Sequence, residues 1–251
     1  DMSGDSFKLG GSSFAQVVGK IGTEAPSIKS ATNFAATFDY IQQLIKEDKV
    51  LAGHDVSAGG LITALLEMTF AQVDLGISAD LKDIKGADDI SVFFSEKPAL
   101  VLQVANSELD GIISQLQALG TGHYVLGSPI GEPILSIQTN TQSYLLDIES
   151  LRDTWYKTSY LLDQKQSGKE LATERFQNYK KQPLQFKFPE GFNGQYEALG
   201  LDPNRKSSTG IKAAIIREKG VNGDREMAYA MHLAGFDVKD VHMTDLIAGR
   251  E

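Results

Sequence analysis

The sequence predicts an α/β protein with a mixed-sheet subdomain over residues 1–149, a helical and extended linker over 150–210, and a truncated βαβ unit over 211–251. Three observations carry that expectation. Up to Glu149, stretches with apolar residues at helical spacing alternate with stretches at strand spacing. Beyond Glu149 the composition turns polar and then rich in Pro and Gly, as in a linker. From Ile211 a short apolar strand, a helix ending at Gly235 and a second strand follow one another, the order of a right-handed, parallel βαβ unit.

Taken in order, Lys8-Leu9-Gly10-Gly11-Ser12-Ser13 opens a helix whose Phe14, Val17, Val18 and Ile21 share a face. Thr23-Glu24-Ala25-Pro26 is a connection by composition, and Asn33 to Ile45 is an amphipathic helix with Phe34, Phe38, Ile41, Leu44 and Ile45 on one side. A strand through Val50 to Val56 leads into an almost wholly apolar helix from Leu61 to Phe70, which is expected deep in the domain. Strands are predicted at LGISADL, SVFF and ALVLQVA, the last apolar on both faces except at Gln103 and therefore central in its sheet. Ser107 and Asp110 give a capping-box-like start to a helix that buries Ile112, Ile113, Leu116 and Leu119 and stops at Gly120. Short strands at HYVLGSPIG, EPILSIQ and QSYLLDI complete the subdomain. LRDTWYKTSYLLDQ is an amphipathic helix, the QKQSGKELATERFQNYKKQP that follows is highly polar, and the tract from Leu184 to Arg205 is extended.

Composition narrows the function classes. The chain has 251 residues, 41% hydrophobic and 23% charged, which suits an ordinary globular protein with a buried core. A formal net charge of −9 leaves no excess of Lys and Arg to displace counterions, so nucleic acid is not expected as a partner. With no cysteine there is no disulfide, thiolate metal site or cysteine nucleophile. No apolar run is long enough to cross a bilayer and DMSGDSFKLGG carries no signal pattern, so a cytoplasmic protein without a membrane partner is expected. The start at Asp1 and the stop just after DVKDVHM lead to the expectation of a fragment.

Chemistry concentrates in LAGHDVSAGGL, residues 51–61. In an extended strand Asp55 and Ser57 project from one face and His54 from the other, which favours a hydrogen-bonded core histidine. Gly59-Gly60 then opens a helix, whose first N–H groups suit an anion. Together these features suggest a metal and phosphate site, Asp55 holding a hard cation such as Mg²⁺ through oxygen and Ser57 with the amides holding phosphate. On spacing alone the same residues more readily make an ordinary capped turn. Gly10, Gly11 and Ser12 carry the same two readings, a second phosphate cradle or a serine-capped helix start. Glu67 is expected at the edge of its helix rather than as a second ligand, and His123 in an exposed loop.

Five motifs in order extend the reading: LGGS from Leu9, LAGHDVSAGGL from Leu51, LRDTW with Thr158-Ser159-Tyr160, REKGVNG from Arg217, and DVHMTDL from Asp240. Their sequence along the chain resembles the large, single-chain phosphoribosylformylglycinamidine synthases. The resemblance implies the C-terminal subdomain of an aminoimidazole ribonucleotide synthase-like fold followed by the start of a class I glutamine amidotransferase domain. It implies a ligase of purine biosynthesis that uses ATP and glutamine to turn formylglycinamide ribonucleotide into its amidine. It places a Mg²⁺ ligand at Asp55 and nucleotide contacts at Ser57, with Gly59, Gly60, Gly10, Gly11 and Ser12 as phosphate-holding positions. ATP or ADP and Mg²⁺ are the implied cofactors, and the remainder of the same polypeptide is the implied partner. No catalytic residue is carried over to this chain, because the family's catalytic histidine falls outside it and its glutaminase needs a cysteine. The fragment alone is therefore expected to be inactive. A module that holds nucleotide and braces the two enzyme domains is the alternative. In many relatives an acidic residue stands at the position of Ala58, so the local field here is less negative. Related synthases without an amidotransferase segment do not account for Arg217 to Asp245.

Overall fold

A computed structural model describes residues 1–181 and 186–250. Two compact units divide the chain, Asp1–Gln182 and Pro183–Glu251. The part of the expected linker at residues 182–185 lies outside the described residues.

The first unit runs α1 Ser13–Val17, α2 Ala31–Lys46, β1 Val50–Asp55, α3 Gly60–Phe70, β2 Gly76–Asp80, α4 Asp89–Phe94, β3 Leu100–Val104, α5 Asn106–Ala118, β4 Gly127–Ile130, β5 Ile134–Gln138, β6 Ser143–Asp147, α6 Ile148–Gln166 and α7 Lys169–Asn178. Four strands form a mixed sheet in the order β4-β2-β5-β6, parallel between β2 and β5 and antiparallel at the other two pairings. β1 and β3 form a separate antiparallel pair.

The core lies where α3 and α4 meet the four-stranded sheet. Leu65 of α3, Val92 and Phe93 of α4, and Ala79, Leu135 and Ile137 of the sheet are buried together with Ile148 at the start of α6. Each such large aliphatic or aromatic side chain contributes about 1.5–3 kcal/mol of transfer free energy, which seats α3 firmly against the sheet. A smaller cluster of Ile41, Leu44 and Ile112 joins α2 and α5 beside the β1–β3 pair.

Several elements differ from expectation. SVFF is the body of α4 rather than a strand, because Asp88 accepts the Ser91 amide as N-cap and the helix presents both Val92 and Phe93 to the core. β3 is half-buried throughout and is paired, among the described residues, with β1 alone; its apolar faces contact side chains from helices instead of flanking strands. α1 is a single short turn capped by Ser12, and its expected stripe is not buried: Val17 is 87% exposed, while Phe14 stacks on Phe94. α5 starts from Ala105 without a side-chain cap, so the Ser107–Asp110 pair does not define its start. The polar stretch after α6 contains α7, which packs back on α6 through Tyr156, Tyr160, Phe176 and Tyr179. His123 is half-buried, with Nδ1 2.9 Å from the Thr121 carbonyl, rather than exposed.

In the second unit β7 Lys212–Arg217 and β8 Asp237–His242 pair in parallel around α8 Asp224–Leu233, followed by α9 Met243–Ile247. Asp237 at the start of β8 accepts from the Thr209 and Gly210 amides, the Ser208 hydroxyl and Arg205, so residues 205–210 are tied to the pair.

Candidate functional site

The site is built where β1 runs out and α3 begins. Pairing with β3 reaches Asp55 opposite Leu100, and the Val56 amide still donates to the Ala99 carbonyl at 2.9 Å. The chain then turns through Ser57, whose carbonyl accepts from the Gly60 amide at 2.9 Å. Gly59 and Gly60 have φ of +88° and +74°, the left-handed region that glycine enters without strain. At Gly60 a Cβ would lie 2.4 Å from the Phe93 carbonyl oxygen and 2.7 Å from Phe94 Cα, so the close seating of α3 on α4 itself demands glycine.

One side chain draws the two glycine-rich turns together. Glu96, just past α4, accepts the Gly59 amide at 2.8 Å and the Ser13 amide at 2.7 Å on the same oxygen, Oε1. Burial pushes its pKa up, yet the amides of Gly59 and Ser13 outweigh that and hold the carboxyl below its ordinary range. The turn before α1 is closed in the same way by the chain itself. The Gly10 amide donates to Glu24 O, the Gly11 amide to Ile21 O and the Ser12 amide to Leu9 O, while the Ser12 hydroxyl caps α1 through the Ala15 amide. The amides of Gly10, Gly11, Ser12, Gly59 and Gly60 thus all have partners within the chain, and an incoming phosphate meets Glu96 already at the junction of the two turns.

Asp55 and Ser57 are placed differently. β1 ends at Asp55, so the strand alternation does not extend to Ser57, and the two residues instead share exposure at the turn. The Asp55 carboxylate is 68% exposed, with His54 Nδ1 at 3.7 Å. His54 is half-buried rather than a core residue: its Nε2 lies 3.1 Å from Glu67 Oε2 and its Nδ1 2.7 Å from the Asp55 carbonyl oxygen. Glu67 also accepts the Trp155 indole N–H at 2.7 Å. Glu67 is thus a partnered residue and not merely one at the helix edge; its signal in the sequence is being the single charged residue of α3.

Among the described residues no three His, Asp or Glu side chains gather as a cage for a metal. A lone exposed carboxylate still fits Mg²⁺, which keeps several waters and is usually held by one or two carboxylates together with substrate phosphates. A cavity of about 660 Å³ opens elsewhere in this unit, between Leu65 and Met68 of α3, Leu102 and Val104 of β3 and Ile113 of α5. Asp55 and Ser57 do not line it, so the polar site is the turn and not the cavity.

Residues 4–140 match the model of the AIR synthase related protein, C-terminal domain. The chain belongs to that family. After the AIR synthase related domain, residues 210–251 match the CobB/CobQ-like glutamine amidotransferase domain. Over 99% of its length the chain is 36% identical to the probable phosphoribosylformylglycinamidine synthase, chloroplastic/mitochondrial, of Arabidopsis thaliana. It is 33% identical, over the same share, to phosphoribosylformylglycinamidine synthase of Homo sapiens. The chain spans 17% and 18% of the length of these two relatives. Among solved structures, PurLQS from Thermotoga maritima aligns with a TM-score of 0.45 and 14% identity over 57% of this chain and 24% of that one. T. maritima PurL complexed with ATP aligns with a TM-score of 0.41 and 17% identity over 45% of this chain and 20% of that one. No helix among the described residues is long and apolar enough to cross a membrane.

Proposed function

We propose that the chain is part of a phosphoribosylformylglycinamidine synthase, an ATP- and glutamine-dependent ligase of purine biosynthesis acting in the cytoplasm. What supports this is similarity to proteins of that name across 99% of the chain, running through both an AIR synthase related domain and an amidotransferase-like segment. In this reading residues 1–149 are the synthase subdomain, 150–210 the linker and 211–251 the opening of the glutaminase domain.

Asp55 and Ser57 form one wall of a Mg–nucleotide site, and the rest of the polypeptide supplies the other wall and the catalytic residues. Support comes from Asp55 and Ser57 both being exposed at the turn into α3. Mg²⁺ would neutralise phosphate charge there, and Ser57 would donate to a phosphate oxygen. The glycines shape the turn, and Glu96 keeps the two turns joined. Phosphoryl transfer to the amide oxygen of the substrate, followed by displacement of phosphate by ammonia, depends chiefly on such positioning and charge neutralisation.

The test is glutamine-dependent amidine formation by the full-length protein. Wild type is expected to turn over, and Asp55→Ala to lose activity by at least about a hundredfold, the size of losing a group that stabilises developing charge. Full activity of Asp55→Ala removes the site assignment, and a wild type without amidine formation removes the function.

A further inference from the structure

We propose that Glu67 is a positioning residue for the Asp55 site, joining Trp155 on α6 to His54 on β1 and thereby fixing the strand end on which Asp55 stands. The inference rests on the nucleotide reading of Asp55 given above. Its two oxygens are used separately: Oε1 accepts the Trp155 indole N–H at 2.7 Å, and Oε2 lies 3.1 Å from His54 Nε2. The other ring nitrogen, Nδ1, is 2.7 Å from the carbonyl oxygen of Asp55, so the link continues into the peptide that carries the proposed metal ligand.

The surroundings make the link specific. Among the described residues β1 has one strand neighbour, β3, and their pairing stops at Asp55, so the sheet leaves the strand end open on its other side. The His54–Glu67 contact ties the strand to α3 through its side chain. The far end is held as well: Arg152 donates through Nη1 to the Phe70 carbonyl at 3.1 Å, and the Trp155 ring packs on Phe70 at 5.4 Å. α6 is therefore anchored to the C-terminal end of α3, and the indole has a defined place from which to hold Glu67. A half-buried carboxylate in an apolar helix is unfavourable unless it is partnered; here Oε1 accepts the indole N–H and Oε2 faces His54 Nε2, an ion pair when the imidazole is protonated. Groups that orient a ligand-bearing residue in this manner typically change metal affinity by about 10–100-fold when removed.

Trp155 is the only tryptophan of the chain and reports on the link directly. In the full-length protein carrying 5-fluorotryptophan, the ¹⁹F resonance of position 155 is assigned by its loss in Trp155→Phe. Mg·ADP is then titrated while calorimetry records binding. The resonance is expected to move with the same midpoint as the binding heat. Glu67→Leu is expected to bind about tenfold more weakly with a resonance that no longer moves. Glu67→Gln, which keeps a carbonyl for the indole and offers an amide to His54, is expected to recover most of the affinity. Binding by the wild type with an unmoved resonance overturns the link, as does wild-type affinity in Glu67→Leu. Absence of any binding heat in the wild type overturns the nucleotide reading itself and the role of Glu67 with it.

Discussion

Replacing Glu96 by alanine leaves the amides of Gly59 and Ser13 without their shared acceptor. Hydrogen bonds to a charged group contribute about 1.5–3 kcal/mol, so Glu96→Ala is expected to lower the unfolding free energy by about that much in urea titrations at pH 7. The difference carries a pH signature. Because the folded carboxyl sits below its ordinary range, its contribution is complete above the unfolded value of about 4.3 and is lost as the pH falls through the lowered folded value. Wild type and mutant should therefore differ fully at pH 7 and progressively less below pH 4; a gap that widens in acid contradicts the assignment. The strand, turn and glycine-started helix around Asp55 and Ser57 were legible in the sequence because they lie within a few residues of one another. Glu96 was not, since the amides it joins are 37 and 83 residues away along the chain. Glu67 was hidden for the same reason, with Trp155 lying 88 residues away.

At the scale of elements, the seating of α3 is the feature on which the site depends. Gly60→Ala would place a Cβ against the backbone of Phe93 and Phe94 at a left-handed φ, so either the turn or α4 has to move. A loss of about 2–4 kcal/mol is expected, within the range of strained-backbone mutations, and thermal denaturation checks it. An unchanged melting temperature contradicts the close approach. Helices with a clear apolar stripe and the strands of the mixed sheet were readable from periodicity, as were the glycine stops at Gly120 and Gly235. Short apolar runs were not. SVFF has too few residues to show a period, and a cap at Asp88 together with core packing decides in favour of α4. β3 reads as a central strand because both its faces are apolar, but helices rather than flanking strands contact its side chains. α7 is not legible in the sequence because its single buried side chain, Ala172, leaves almost no apolar stripe.

At the scale of the whole chain, each unit carries its own depressed carboxylate, and each therefore has its own acid sensitivity. Asp237 in the second unit is held well below the usual carboxylate range by the Ser208 hydroxyl, then by the amides of Thr209 and Gly210. Its contribution is present above the ordinary aspartate value of about 3.9 and disappears only as the pH drops through the lowered one. Amide exchange at Thr209 and Gly210 is accordingly expected to stay slow at pH 5 and to accelerate, relative to other amides of the βαβ unit, in strong acid. Asp237→Asn should remove that acid dependence.

The family itself was legible because five motifs occur in one order, although the chain spans only 17–18% of the length of its relatives. In the proposed reading, the remaining length supplies the other wall of the site and the catalytic residues. The decisive measurement is calorimetric titration of ADP or ATP with and without Mg²⁺ into the wild type and Asp55→Ala. Binding that requires Mg²⁺ and is abolished in Asp55→Ala is expected; equal binding by the two proteins, or binding indifferent to Mg²⁺, rules out Asp55 as the metal ligand.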